Sequence, residues 1–553
     1  MSSSVSKLAW AAPAILLAGM LSAAGTAQRP ATVMGKVPLV LGVEDGSPNF
    51  TENFNPFSPN LLSGVYYMYE PLTMVNLLNG KQTPWLATHY KWVTKTELQF
   101  TLRQGVKWSN GTPFTAKDVV FTFDMLKRYP ALDLNAVWTN LSGVSASGNT
   151  VTFRFKKVNI PSWFYIATTP IVSAQQWSKV KNPVSYTNPH PVVTGPFVLQ
   201  SFHPTQYTLK ANSLYWQRAK VHIPAIKSVA LSSNTTSDML MSEGKFDQSV
   251  LFTPNIQGTY VDRNPKYYHY WFPLAPPVNL VFNLNQYPFN NVKFRAAMAY
   301  AINKHKIWKQ GEYGYEPPAN QTLLPPSLAP KWLDKTLVKK YAYAYNPQKA
   351  ASLLRQMGLK KNAHGQLIGK NGKQISFTLE VPTGWTDWIQ DCQIIHSELG
   401  TLGIKVRVIT PSVATDYNNV ETGHFQSALV YENSNPNPWF IYNYILSSSM
   451  SAPIGQVAPF TGNVERYHNP KVDALLAAYA KTTNSAKQHA IINQLQTIMV
   501  KQLPVVSLVY GAAWNEYQTN HYVGWPTQSN PYAMPSNTYP DTLLIATHLM
   551  PAK

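Results

Sequence analysis

The sequence predicts an α/β protein divided into two or three lobes, and two observations predict it. The chain has 553 residues, too many for one ordinary core at roughly 100–200 residues per domain. Its 44% hydrophobic and 12% aromatic content supplies apolar material for several cores. Between residues 374 and 440, short apolar strands alternate with helical stretches, the pattern of parallel βαβ units.

In chain order, residues 1–27 read as a targeting segment. Lys7 gives a positive start, LAWAAPAILLAGMLSAA is the apolar run, and Gly25-Thr26-Ala27 offers small residues for cleavage, leaving Gln28 as the mature start. Pro13 and the modest length of the run argue against a retained membrane anchor. VPLVLGV (37–43) is short and continuously apolar, as a buried strand is, and GSPNFTENFNPFSPN (46–60) is loop chemistry.

The stretch FTLRQGVKWSNGTPFTAKDVVFTF (100–123) then packs a strand, a turn and a helix start together. Leu98, Phe100 and Leu102 alternate with polar residues; Ser109-Asn110-Gly111 reverses the chain cheaply because Asn and Gly tolerate positive φ. Thr115 with Asp118 resembles a capping box ahead of the apolar face Val119, Val120, Phe123 and Leu126. Arg103 and Lys107 are expected as solvated strand-edge cations. No phosphate-cradling glycine spacing occurs here, so the stretch reads as scaffold.

FVLQSF, YTLKA and NLVFNL continue the strand character to about residue 285. From 290 to 310 the period becomes helical, with Val292, Arg295, Ala296, Ala299, Ile302 and Lys306 on neighbouring turns of one expected helix. Asn346-Pro347 is a cap followed by proline at the first helical position, and Gly358 ends that helix. QISFTLEV (374–381), IKVRVI (404–409) and FQSALVY (425–431) are the three strands of the alternating segment, with helices to about Leu399 and at 413–422 between them. Helices follow near 470–501, and SLVYGAAWNEY (507–517) returns to strand.

In a parallel sheet the loops after the strands gather at the carboxyl edge, where ligands bind. GWTDW (384–388) and ENSNPNPWF (432–440) therefore belong to one crevice. The candidate ligand-binding residues are Trp385, Asp387, Trp388, Tyr431, Glu432, Asn433, Asn435, Asn437 and Trp439. Trp385 and Trp388 present flat faces, or continue an amphipathic stripe through Cys392, Ile395 and Leu399. Asp387 is a ligand hydrogen bonder or a helix cap, and the asparagines offer both donors and acceptors. Trp439 is a stacking face or a core anchor for the segment after it.

Catalysis finds little support. HExxH, CxxC, GxSxG and P-loop patterns do not occur, and the 13 His are scattered, so no cofactor or metal is expected. A carboxylate pair assembled by the fold for glycoside chemistry stays open as an alternative. The net formal charge is +20, yet the basic residues are not concentrated among aromatics as in a nucleic-acid binder. With only 13% charged residues and 26 acids, the balance suits an acidic extracytoplasmic setting, where little is lost when carboxylates protonate. Cys392 is the single cysteine, so no intramolecular disulfide forms.

LRQGVKWSNGTPFTAKDVVFTF, with TGPFVLQSF (194–202), NNVKFRAAMAYAINKHKI (290–307) and NPQKAASLLRQMGL (346–359) in the same order, resembles the family 5 extracytoplasmic solute-binding proteins of ABC importers. Asn110, Asn303 and Val193 depart from the family's commoner residues, at turn and cap positions. The resemblance implies a two-lobed periplasmic-binding-protein-like fold of type II, joined by a two-strand hinge. Lobe I would take 36–284 plus 506–553, with an accessory subdomain at 76–193, and lobe II 285–505. It implies a monomer that closes on a small-molecule solute, peptide or oligosaccharide, and delivers it to membrane permease and ATPase subunits. Nickel, an opine or another small solute are further options, and a secreted peptide receptor or chaperone-like protein is the alternative role. Many relatives carry a lipid on a first mature cysteine; none stands near Gln28, so a free periplasmic or secreted protein is expected. Peptide-binding relatives place an aspartate in the loop matching 432–440, where this chain has only Glu432, while GWTDW is similar to the loop of relatives that bind β-linked oligosaccharides.

Overall fold

The computed structural model describes residues 34–44, 47–432, 435–459 and 462–553; the expected targeting segment lies outside them. Two sheets carry the two lobes. The first has seven strands in the order Tyr268–Tyr270, Glu516–Gln518, Gln248–Ser249, Leu39–Glu44, Ala225–Leu231, Gln206–Ala211, Phe197–His203. Leu39–Glu44 sits at its centre, parallel to both neighbours, and its apolar run is buried as its composition requires. The second has five strands in the order Lys405–Ile409, Ser376–Glu380, Ser427–Val430, Leu274–Phe282, Val506–Ala512. Ser376–Glu380 pairs parallel with both neighbours, and the last two strands run antiparallel, so the sheet is mixed.

Two of these strands sit differently from the sequence expectation. Leu274–Phe282 and Val506–Ala512 pair within the second sheet, whereas the expected boundaries at 284 and 506 gave both to lobe I. The chain crosses earlier, at 271–273, and returns later, at 513–515. Each crossing is a three-residue break with a strand on either side of it. The crossing segments bond to each other: Trp271 N–H donates to Asn515 O at 3.1 Å and Ala513 N–H to Pro273 O at 3.0 Å.

A separate four-stranded antiparallel sheet (Ala87–Thr94, Glu97–Leu102, Thr150–Phe155, Leu141–Ser147) packs against the helix Ala116–Arg128. Thr115 and Asp118 form the capping box expected of them, and Gly111, at φ +88°, closes the turn after Trp108. Arg103 is not merely solvated: its Nε donates to Trp85 O at 2.7 Å and its guanidinium lies 4.1 Å from the centre of the Trp216 ring.

The helix expected to run from 292 through Lys306 stops at Ala301. Ile302 is extended, and the Asn303 side chain accepts from the N–H groups of His305 and Lys306, capping a new short helix. Arg295, on the first of these helices, is buried and donates to the backbone carbonyls of Gln502 and Leu503 at 2.6 Å each. It thereby satisfies the C-terminal end of the long helix Ser485–Gln502.

Candidate ligand-binding cleft

The helix Thr386–Thr401 begins directly after the loop that follows strand Ser376–Glu380, and Gly384, at φ +87°, makes the turn into it. The loop after Ser427–Val430 leads through Tyr431 and Glu432 to the helix Pro438–Leu446. Both loops leave the same edge of the parallel pair and meet lobe I there. Asn234, first residue of the lobe I helix Asn234–Ser242, donates from Nδ2 to Thr386 Oγ1 at 3.2 Å and Asp387 Oδ1 at 3.3 Å. On the other side, Phe440 lies 5.0 Å and 5.2 Å, ring to ring, from Phe164 and Tyr165.

Between these contacts lies a cavity of about 280 Å³, floored by the hinge strands at Ala275–Val278 and Gly511–Trp514. A second cavity of about 510 Å³ continues from it, and Tyr431, Thr538 and Tyr539 line both. The two chambers adjoin across these shared residues and together have the size that encloses small organic ligands.

Of the nine sequence-predicted residues, Trp385, Asp387, Trp388, Tyr431 and Glu432 line the first cavity, and Tyr431 and Asn435 the second. Trp388 is also part of the lobe II core, with the half-buried Trp385 edge-on to it at 4.9 Å. One expectation is corrected, and for Trp439 the anchor reading is the one that holds. Asn437 is the cap of the following helix: its Oδ1 accepts from Trp439 N–H at 2.8 Å and from Tyr479 OH at 3.1 Å. Trp439 is a core anchor whose Nε1 donates to Leu476 O at 3.0 Å. A proline at the first helical position turns the chain inward here, so both side chains leave the cleft. Asn433 lies outside the described residues.

Sequence reasoning missed Asn234, Phe252, Glu316, Tyr417, Trp514, Ser536, Thr538 and Tyr539, all cavity-lining. Phe252 follows the short strand Gln248–Ser249 and Trp514 follows Val506–Ala512, so the strand-end rule could have found these two. Nothing local marks the others.

The acids of the cleft share one electrostatic character. Burial pushes the Asp387 carboxyl up to about 6, against the pull of the N–H groups of Trp388 and Asp387 and of the Asn234 amide. Burial likewise holds Glu432 well above the usual carboxylate range, with Glu465 adding to the effect and Asn279 opposing it. Glu316 is raised by burial, then by Glu312 and Asp387, against the Ala512 N–H. Glu312 and Asp391 stand behind it, fully enclosed: burial and then Asp387 raise Glu312, against its hydrogen bond with Asp391, while burial and then Glu312, Asp387 and Glu316 raise Asp391. Burial thus shifts each of these groups toward its protonated form, in which a carboxyl donates as well as accepts; Asp387 takes its proton as pH falls through about 6. Among the described residues, no cluster of His, Cys, Asp and Glu has the arrangement of a metal site.

Residues 81–452 match the family described as bacterial extracellular solute-binding proteins, family 5 middle. The nickel-binding periplasmic protein of Escherichia coli K12 is 24% identical over 466 residues, covering 80% of this chain and 83% of that protein. The glutathione-binding protein GsiB of Salmonella paratyphi A is 26% identical over 426 residues, covering 74% and 76%. Among solved structures, the mannohexaose-bound periplasmic oligopeptide-binding protein of a Thermotoga maritima oligopeptide ABC transporter superposes with a TM-score of 0.85. It is 28% identical, with 93% of this chain and 98% of that one covered.

Proposed function

Because this chain belongs to the family 5 bacterial extracellular solute-binding proteins, we propose that it is the capture component of an ABC importer. It takes an oligomeric solute, an oligopeptide or an oligosaccharide, between its lobes and presents it to a membrane permease driven by ATPase subunits. The observation that carries the reading is the elongated two-chamber cleft, whose walls come from both lobes and whose floor is the hinge. A ligand there touches all three, so closing the lobes adds contacts that the open form lacks, and binding and closure are coupled by that difference.

The protein works as a monomer outside the cytoplasm and catalyses nothing itself. Its relatives are solute-binding proteins, and burial raises the acids facing the cleft above the usual carboxylate range. Small-angle scattering of the mature chain with and without a saturating solute tests the proposal. The expected result is a smaller radius of gyration in the loaded form at unchanged monomer mass. An identical radius in both states, with binding demonstrated by calorimetry on the same sample, overturns capture by closure.

A further inference from the structure

The charge of the cleft wall narrows the ligand, on the reading of this cleft as the solute site. We propose that the cleft selects an uncharged, hydroxyl-rich oligomer, that is, an oligosaccharide without acidic or amino groups, and rejects solutes ending in a carboxylate or an ammonium.

The first ground is an absence that composition makes improbable. The chain carries 46 Lys and Arg and 13 His, yet none lines either chamber among the described residues. A buried carboxylate without a cationic partner is costly, so the free carboxyl end of a peptide or an acidic sugar finds no counter-charge anywhere along the cleft. The larger chamber contains no acid either and is lined by neutral side chains such as Tyr66, Tyr165, Tyr444 and Asn135.

The second ground concerns the ammonium. The acids of the smaller chamber, Glu316, Asp387 and Glu432, face other acids. Glu312 and Asp391 stand behind the first two, Asp238 faces Asp387 from the lobe I helix, and Glu516 adjoins Asp238 on the hinge side. Glu465 faces Glu432, and the nearest guanidinium groups, of Arg295 and Arg466, are engaged with backbone carbonyls. Glu312 and Asp391 are buried against each other and share a hydrogen bond between their carboxyls. An ammonium ligand would need an ionised partner inside this cluster, where burial opposes the first ionisation and the charge so formed opposes a second. A sugar hydroxyl instead gives and takes a hydrogen bond, as a protonated carboxyl does.

The third ground is the aromatic wall. Phe252, Trp385, Trp388, Trp514, Tyr431 and Tyr539 surround the smaller chamber. Their faces suit the C–H surface of a pyranose ring, while Ser536 and Thr538 add neutral hydroxyls.

The test uses matched hexamers at about pH 5, read by thermal shift and calorimetry on the mature protein. The uncharged set is manno-, cello- and xylo-hexaose; the anionic probe is hexagalacturonate, the cationic probe hexaglucosamine, and the zwitterionic probe hexa-alanine. At least one uncharged hexaose is expected to bind tenfold or more tighter than every charged probe. Its affinity is expected to fall threefold or more between pH 5 and pH 8, with net proton uptake on binding, because covering the carboxyls desolvates them further. A charged probe binding tightest, or an affinity that rises with pH with proton release, overturns the inference and leaves the importer reading standing. No binding by any of the four sets overturns both.

Discussion

Glu70 shows how single buried acids serve this fold. It is fully buried, and its Oε1 accepts from Trp85 Nε1 at 2.7 Å and Trp216 Nε1 at 2.9 Å, joining two indoles that meet edge to face at 5.6 Å. Burial lifts its carboxyl to about 7, against the pull of the indole donors. Glu70→Ala leaves both N–H groups without their acceptor, and a buried orphan donor costs about 1–3 kcal/mol. The expected loss is about 2–4 kcal/mol in denaturant unfolding, with Glu70→Gln, which keeps a carbonyl acceptor, losing clearly less. Equal losses would show that the two indoles do not depend on this oxygen. At this scale the cleft was half legible. Trp385, Asp387 and Glu432 follow parallel strands, and a strand end is visible in sequence. Ser536, Thr538 and Tyr539 reach the same cavity from a loop more than a hundred residues further on, and no local pattern announces that. Asn437 misled because a loop rich in amides reads alike whether it faces a ligand or caps a helix.

Elements were the most legible layer, since their signals are local. The capping box at Thr115, the Asn346-Pro347 start and the 413–422 helix lie where cap chemistry and periodicity put them. The break at Ile302 was missed because the apolar spacing continues through it and only the Asn303 cap interrupts it. Gly195 is an element-scale constraint of another kind. Its N–H donates to Met68 O at 2.9 Å, and a Cβ built on it would lie 2.3 Å from that oxygen. The obstruction is backbone, which cannot rotate away, so the strand Phe197–His203 can enter beside the helix Val65–Met68 only with glycine there. Gly195→Ala is expected to destabilise by about 1–3 kcal/mol, as overpacking does. An unchanged denaturation midpoint would mean that this approach relaxes freely.

For the whole molecule, the acids set the response to pH. Besides Glu70, burial raises Asp238, Asp416 and Asp541 to about 7 and Glu465 to about 8. A carboxyl whose folded value lies above its unfolded value binds its proton more tightly in the folded state. Its contribution is complete below about pH 4 and is lost as pH rises through about 7 to 8. The Arg154–Glu97 ion pair, at 2.9 Å, is exposed, so acidification removes little there. The melting temperature is therefore expected to be higher at about pH 4 than at about pH 8; a scan with its maximum at neutral pH and a steep fall below about pH 5 would contradict this. The scarcity of acids in the composition pointed in this direction, but their burial could not be read there, because burial belongs to the folded chain. The two-lobed α/β plan was legible, from the alternation at 374–440 and from the resemblance. The exact crossing points were not, because each is a break of only three residues between strands of two different sheets.

Those crossing points govern how the molecule moves. The segments 268–282 and 506–518 form a nearly continuous antiparallel ribbon, from Tyr270 opposite Glu516 through the Trp271–Asn515 and Ala513–Pro273 bonds to Leu274 opposite Ala512. Such a strip flexes across its face like a leaf spring, whereas sliding one edge past the other breaks the bonds between them. If the lobes close as proposed, this ribbon leaves them one soft degree of freedom and returns the two walls to the same alignment at every stroke. On that proposal the register in which a long solute is gripped would belong to the protein, and solutes of different length would overhang at the ends instead of shifting the grip.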